Sequence, residues 1–144
     1  MKNINIKQSL AVFAGCSLLG PLVGGAPYNW MFWPIPISYV FGGLPSIVGA
    51  GLFATWLCGK PVPEVSTATL YGAASGMIGA VLGSTIQMFI WYGMNMQAPF
   101  VESTGFAVIV NLPHGALAGA VLGGCSTYHL HRALSKTELE ARPK

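Results

Sequence analysis

Charged residues are absent from three long stretches of this chain. No Asp, Glu, Lys or Arg occurs between Lys7 and Lys60, between Glu64 and Glu102, or between Glu102 and Arg132. A helix needs about 20 apolar residues to cross a hydrocarbon core roughly 30 Å thick, so these stretches have room for two, one and one crossings. The sequence therefore predicts an all-α integral membrane protein with four transmembrane helices.

Proline, glycine and charge mark the ends of these helices, which we place near residues 9–26, 37–58, 66–92 and 104–130. The linkers at 27–36 and 91–102 are rich in aromatic residues, which favours positions in the lipid headgroup region. We predict one transmembrane domain over residues 1–134 and a polar cytoplasmic tail over 135–144.

The basic residues predict the orientation in the membrane. All seven Lys and Arg residues fall on one side of the predicted topology, before the first helix, between the second and third, or after the fourth. By the positive-inside rule that side is the cytoplasm. We therefore expect a multi-pass protein of the bacterial inner (cytoplasmic) membrane with both termini in the cytoplasm.

Composition argues against several classes of function. Only 8% of the residues are charged, against about a quarter in soluble domains. The basic residues are too few and too dispersed to follow a nucleic-acid backbone. Glu64 and Glu102 lie on opposite sides of the predicted membrane, which excludes a paired-carboxylate acid–base site. We predict no enzymatic activity, no cofactor and no nucleic-acid partner.

Cysteine and histidine spacing gives no metal-binding pattern. The three cysteines are far apart, and no Cys-x-x-Cys or Cys/His ligand spacing occurs. His129 and His131 are two residues apart and do not share a helix face, so we interpret them as interfacial residues and expect no metal.

The two halves of the chain resemble each other. Gly20-x-x-x-Gly24 aligns with Gly79-x-x-x-Gly83, and each pair is followed by an aromatic cluster. In the following helices the aligned residues are Pro45 with Pro113, Ser46 with His114 and Gly51 with Gly119. We predict two parallel repeats of a helical hairpin, at about 8–58 and 66–131, related by an axis along the membrane normal.

Small residues four apart form flat strips that let another helix approach closely. This predicts helix-packing roles for a set of glycines: Gly20, Gly24, Gly79, Gly83 and Gly119. The strips either pack the chain's own bundle or contact another subunit or protein. Such faces occur in all four helices, which favours a homo-oligomer or a complex with another membrane protein.

Polar residues and prolines occur at similar depth in the outer half of the membrane. Pro45 and Pro113 each remove a helical hydrogen bond, which predicts kinks in the second and fourth helices. The candidate residues for an intramembrane polar pocket are His114, Asn111, Gln87 and Ser46. Their alternative role is a hydrogen-bonded clasp between helices.

These features support two hypotheses about function. The first is a non-enzymatic protein that acts through helix–helix association, as an accessory, assembly or immunity-type component of the membrane. The second is an oligomeric channel or transporter for a small solute or ion. In size and topology the chain is similar to many small bacterial inner-membrane proteins, including immunity proteins against pore-forming toxins and small subunits of membrane complexes.

Overall fold

The structure, a computed structural model, describes residues 3–25, 34–93 and 100–140. They form four α-helices: α1 (Ile6–Gly25), α2 (Pro34–Leu57), α3 (Val65–Gly93) and α4 (Phe100–Glu140). Within these ranges there is no strand, only an isolated bridge between Asn3 and Pro61. The prediction of an all-helical chain with four helices is confirmed, and α4 continues past its predicted end at residue 130.

Three helical stretches are long and apolar enough to cross a membrane: Ile6–Gly24, Val65–Gly93 and Thr104–Lys136. The described apolar stretch of α2 is the shorter Gly42–Leu57. These helices indicate a membrane-associated protein. Residues 26–33 and 94–99, which make up most of the two predicted aromatic linkers, lie outside the described residues. Lys2, Arg142 and Lys144 also lie outside them.

Local interactions define the start of α1, the end of α2 and the start of α3, which lie on the side predicted to be cytoplasmic. Asn5 and Gln8 exchange two backbone-to-side-chain hydrogen bonds of 2.9 Å, a capping box that starts α1. Gly59 has a φ of 75°, the left-handed conformation that glycine adopts readily after a helix, and it follows the end of α2. The Glu64 carbonyl accepts from Ala68 N at 2.9 Å as α3 begins.

The helices form an antiparallel bundle in which each one packs against its two neighbours, while α2 also contacts α4. Direction follows from the contacts: in the seam between α1 and α2, Gly20 lies against Ser46 and Gly51 lies against Phe13. The described basic residues therefore share one end of the bundle: Lys7, Lys60, Arg132 and Lys136. We call it the basic end.

Large buried apolar side chains are concentrated near the basic end. The cluster there includes Ile4, Phe53 and Leu57, with exposures of 2%, 3% and 0%. Leu130 and Leu134 of α4 pack against it. Elsewhere the helices meet mainly through glycine, alanine and serine, so the bundle is held by close backbone packing away from this end.

The outer surface of the bundle is apolar. Leu18, Leu70, Phe89, Phe106 and Ile109 are all more than 60% exposed. The hydroxyls of exposed Thr55 and Thr85 and of half-buried Thr69 donate to the carbonyl four residues earlier in their own helix, at Gly51, Val81 and Val65. Such bonds satisfy hydroxyls without water.

Candidate functional site

Asn111 of α4 reaches a buried hydroxyl on α3. Its Nδ2 donates to Ser84 Oγ at 2.9 Å, and Ser84 is 1% exposed. Ser84 directly follows Gly83, and Gly83 lies against the backbone of α2 at Pro45. The close approach of the two helices at Gly83 helps to bury the Ser84 hydroxyl. Asn111 was predicted from the sequence as a site residue and Ser84 was not, because a single serine in an apolar helix has no distinguishing sequence pattern.

Gln87 lies one turn from Ser84 on the same face of α3 and contacts α2. Its Nε2 donates to the Val40 carbonyl, and its side chain is 4% exposed. The other amide atom, Oε1, is buried without a hydrogen-bond partner. Gln87, Ser84 and Asn111 thus form a polar layer that joins α2, α3 and α4.

His114 lies against α1 and its own helix. Its Nδ1 bonds to the Val110 carbonyl one turn earlier; because a carbonyl can only accept, Nδ1 carries the proton. A methyl group at Gly24 of α1 would lie 3.3 Å from the His114 carbonyl oxygen. His114 therefore lines the seam between α1 and α4.

Ser46 occupies the seam between α1 and α2. A methyl group at Gly20 would lie only 2.6 Å from Ser46 Oγ. Of the four predicted pocket residues, the structure joins Gln87 and Asn111 through the polar layer and places Ser46 and His114 against α1. Each of the four residues contacts a neighbouring helix.

The prolines lie inside the helices. Pro45 of α2 is buried against α3, where a methyl group at Gly79 would lie 2.5 Å from the Pro45 carbonyl oxygen. Pro113 lies inside α4 and is exposed. A third proline, Pro21, lies inside α1 and faces Gly42 of α2.

The predicted packing glycines all contact neighbouring helices of the same chain. Gly20 and Gly24 face α2 and α4, Gly79 and Gly83 face α2, and Gly119 faces α3. On α3 the strip is longer than predicted and extends to Gly72 and Gly76, which meet the backbone of α4 at Gly115, Gly119 and Gly123. Of the two alternatives for these strips, the structure shows packing within the chain's own bundle.

Three hydrogen bonds connect separate segments of the chain at the basic end. Ile4 N donates to the Lys60 carbonyl at 2.8 Å, and Gly59 N donates to the Ile4 carbonyl at 3.0 Å. His131 Nε2 donates to the Pro63 carbonyl at 2.8 Å. The segment before α1 and the end of α4 are therefore both tied to the loop between α2 and α3.

Metal-ligating side chains do not cluster in the part of the chain that the structure describes, since no group of three or more His, Cys, Asp or Glu residues there could hold an ion. Comparison with known proteins gives no further assignment: no protein-family model, no curated protein and no solved structure matches this chain.

Proposed function

We propose that this chain is a four-span protein of the bacterial inner membrane that acts without catalysis, as an accessory, assembly or immunity-type component. The observation that carries the proposal is a glycine-packed helical bundle with an apolar exterior and no metal-ligand cluster within residues 3–25, 34–93 and 100–140. Such a molecule offers lipid or another membrane helix a surface to contact.

The fourth span is α2, whose 24 residues are enough to cross about 30 Å of hydrocarbon. All four described Lys and Arg residues lie at the basic end, which supports a cytoplasmic location for that end and for both termini. The helix α4, with 41 residues, is about 61 Å long and extends past the membrane into the proposed cytoplasmic tail.

The proposed repeats are supported by a pair of contacts. Gly24 of α1 packs against His114 of α4, and the aligned glycine of the second repeat, Gly83, packs against Pro45, the neighbour of the residue aligned with His114. A twofold axis along the membrane normal would carry the Gly24–His114 contact onto a contact between Gly83 and Ser46, one residue from the contact that Gly83 makes with Pro45. The proposed kinks at Pro45 and Pro113 follow from the missing N–H groups of proline.

In this proposal the surface that binds a partner is the apolar exterior, because the glycine strips already pack against neighbouring helices of the same chain. Phe106 and Ile109 of α4 are 71% and 73% exposed, the two highest exposed fractions among the large apolar side chains of the described residues. A leucine at Gly79 or Gly83 would separate α2 from α3 and disrupt the bundle itself. Tests of partner binding must therefore change exposed residues.

The test is affinity purification from native membranes in mild detergent, followed by mass analysis of everything that remains bound. The tag belongs after residue 144, because Ile4 near the other terminus is buried. A stoichiometric foreign protein would support an accessory, assembly or immunity role. Its loss on changing Ile109 to Ser, with a normal bundle, would place the contact on α4. A monomer without any partner would refute the proposal.

The alternative function is transport by an oligomeric channel or carrier. It is favoured by the buried Oε1 of Gln87, an acceptor without a partner beside the Ser84–Asn111 bond. A solute or ion bound at the polar layer would use this acceptor. The test is flux into proteoliposomes: a carrier should lose flux in Gln87→Leu, whereas an absence of flux in the unchanged protein for every solute tried would reject the alternative.

A further inference from the structure

An open depression of about 350 Å³ lies at the basic end, where α2 turns into α3. Its lining residues are Trp56, Leu57, Lys60, Pro61, Val62, Pro63 and Glu64. Most of this lining is apolar, and its charged residues are Lys60 and Glu64. The depression therefore combines a hydrocarbon-like floor with charge at its rim.

Trp56 is the aromatic residue of the lining, and its ring belongs to a stack. Trp56 stacks on Tyr71 of α3, with ring centroids 4.1 Å apart and planes inclined by 16°, and on Phe53, with centroids 5.9 Å apart. Lys60 Nζ lies 4.9 Å from the Trp56 ring centroid. Aromatic rings beside a lysine are typical of the headgroup level of a bilayer, where the rings contact the upper methylenes of the lipid.

The loop that carries Lys60 is held in place from two sides. Ile4 bonds to the backbone of Gly59 and Lys60, and His131 of α4 bonds to the Pro63 carbonyl. These bonds fix the loop before any ligand arrives, so little ordering entropy opposes binding.

The charge on Lys60 is available to a ligand. Within the described residues Lys60 forms a cation–π contact and no ion pair with Glu64. Arg132 adjoins His131, which is bonded to the same loop, and Lys7 follows the first residue of α1. The lining of the depression carries one cation, Lys60, and one carboxylate, Glu64, so the anionic group of a ligand would lie at Lys60 and away from Glu64.

We propose that this depression binds an anionic phospholipid, with the lipid phosphate at Lys60 Nζ and the first acyl methylenes against Trp56 and the apolar residues of the lining. The proposal rests on the proposed membrane insertion. A lipid satisfies both parts of the site, because it brings an anionic head and an apolar chain in one molecule. Basic residues between helix ends on the cytoplasmic side are a known means of holding acidic headgroups.

Trp56 provides the probe. In a variant in which Trp30, Trp33 and Trp91 are changed to Phe, all tryptophan emission comes from Trp56, and lipids brominated on the acyl chains quench it by contact. The variant is reconstituted in phosphatidylcholine with increasing phosphatidylglycerol, and either lipid carries the bromine in turn. We expect phosphatidylglycerol to be enriched about five-fold at Trp56, the effect of one lysine near the surface.

Two further variants separate this site from general attraction to a basic surface. Lys60→Gln should abolish the enrichment and Lys60→Arg should retain it, while Lys136→Gln, which removes a lysine from the same end of the bundle, should leave it unchanged. Circular dichroism on each variant verifies that the helices are intact.

The outcomes are distinct. If brominated phosphatidylcholine quenches Trp56 but phosphatidylglycerol is not enriched, the protein is in the bilayer and the lipid site is wrong. Equal enrichment in Lys60→Gln and Lys136→Gln would also overturn the site. If neither lipid quenches Trp56, both the membrane insertion and the lipid site fail.

Discussion

Gly79 offers the most direct test of the backbone packing between α2 and α3. In Gly79→Ala the new methyl group would lie 2.5 Å from the Pro45 carbonyl oxygen and 2.6 and 2.7 Å from N and Cα of Gly49. Ordinary non-bonded carbon contacts are about 3.5–4.0 Å, so the two helices must separate by about 1 Å. All three opposing atoms are backbone, which cannot rotate away.

The matched control is Gly43→Ala on α2. Gly43 has nothing within 4 Å of the position that a methyl group would take. Both changes add the same methyl group and the same helix propensity, so the difference between them isolates the cost of overpacking. We expect Gly79→Ala to be less stable than Gly43→Ala by about 1–3 kcal/mol.

The assay is reversible unfolding in mixed micelles with an increasing mole fraction of a denaturing detergent, followed by circular dichroism and tryptophan emission. The free energy of unfolding is compared between the two variants and the unchanged protein. Equal stability of Gly79→Ala and Gly43→Ala would show that α2 and α3 are not in backbone contact at Gly79, and the reasoning would be refuted.

Other predictions concern the helix cap, the basic end, the polar layer and the topology. Asn5→Ala should destabilise the bundle by about 0.5–2 kcal/mol in the same assay, because it removes the cap of α1. His131→Ala should cost about 0.5–1.5 kcal/mol through its lost bond to the loop, and His129→Ala should cost less. Asn111→Ala should cost about 0.6–1.7 kcal/mol, as for other interhelical bonds in lipid; no change would contradict the Ser84 bond. With the other two cysteines changed to Ala, exposed Cys58 should react with an impermeant maleimide in inside-out vesicles, and reaction only in right-side-out cells would reverse the topology.

The number and approximate extent of the helices could be predicted from the sequence, because the gaps between charges such as Lys7 and Lys60 match the thickness of a membrane. Helix rotation could not be predicted. Each helix is apolar on every side, so no polar face marks the exterior. The glycine strips at Gly79 and Gly119 could be predicted from the sequence. The helix that each strip contacts depends on how the helices are rotated about their axes, and only the structure shows this rotation.

The predicted polar pocket illustrates the same limit. Residues at similar depth, such as Gln87 and Ser46, were grouped by depth alone, whereas the structure directs Gln87 to α2 and Ser46 to α1. The contacts of Ile4 were missed because it precedes the first apolar run. One local signal was available: Asn5 and Gln8, three residues apart, have the spacing of a capping box and mark the start of α1.

The bonds between Ile4 and residues 59 and 60 also determine the order in which the protein can be completed during synthesis. The ribosome delivers α1 first, but the partners of Ile4 emerge only after the whole of α2 has been made. Until then the start of α1 lacks its backbone partners and Ile4 remains exposed. The backbone bonds of Ile4 can therefore form only once the turn at Gly59 has left the ribosome, and a chain truncated before that turn would pack α1 against α2 without them.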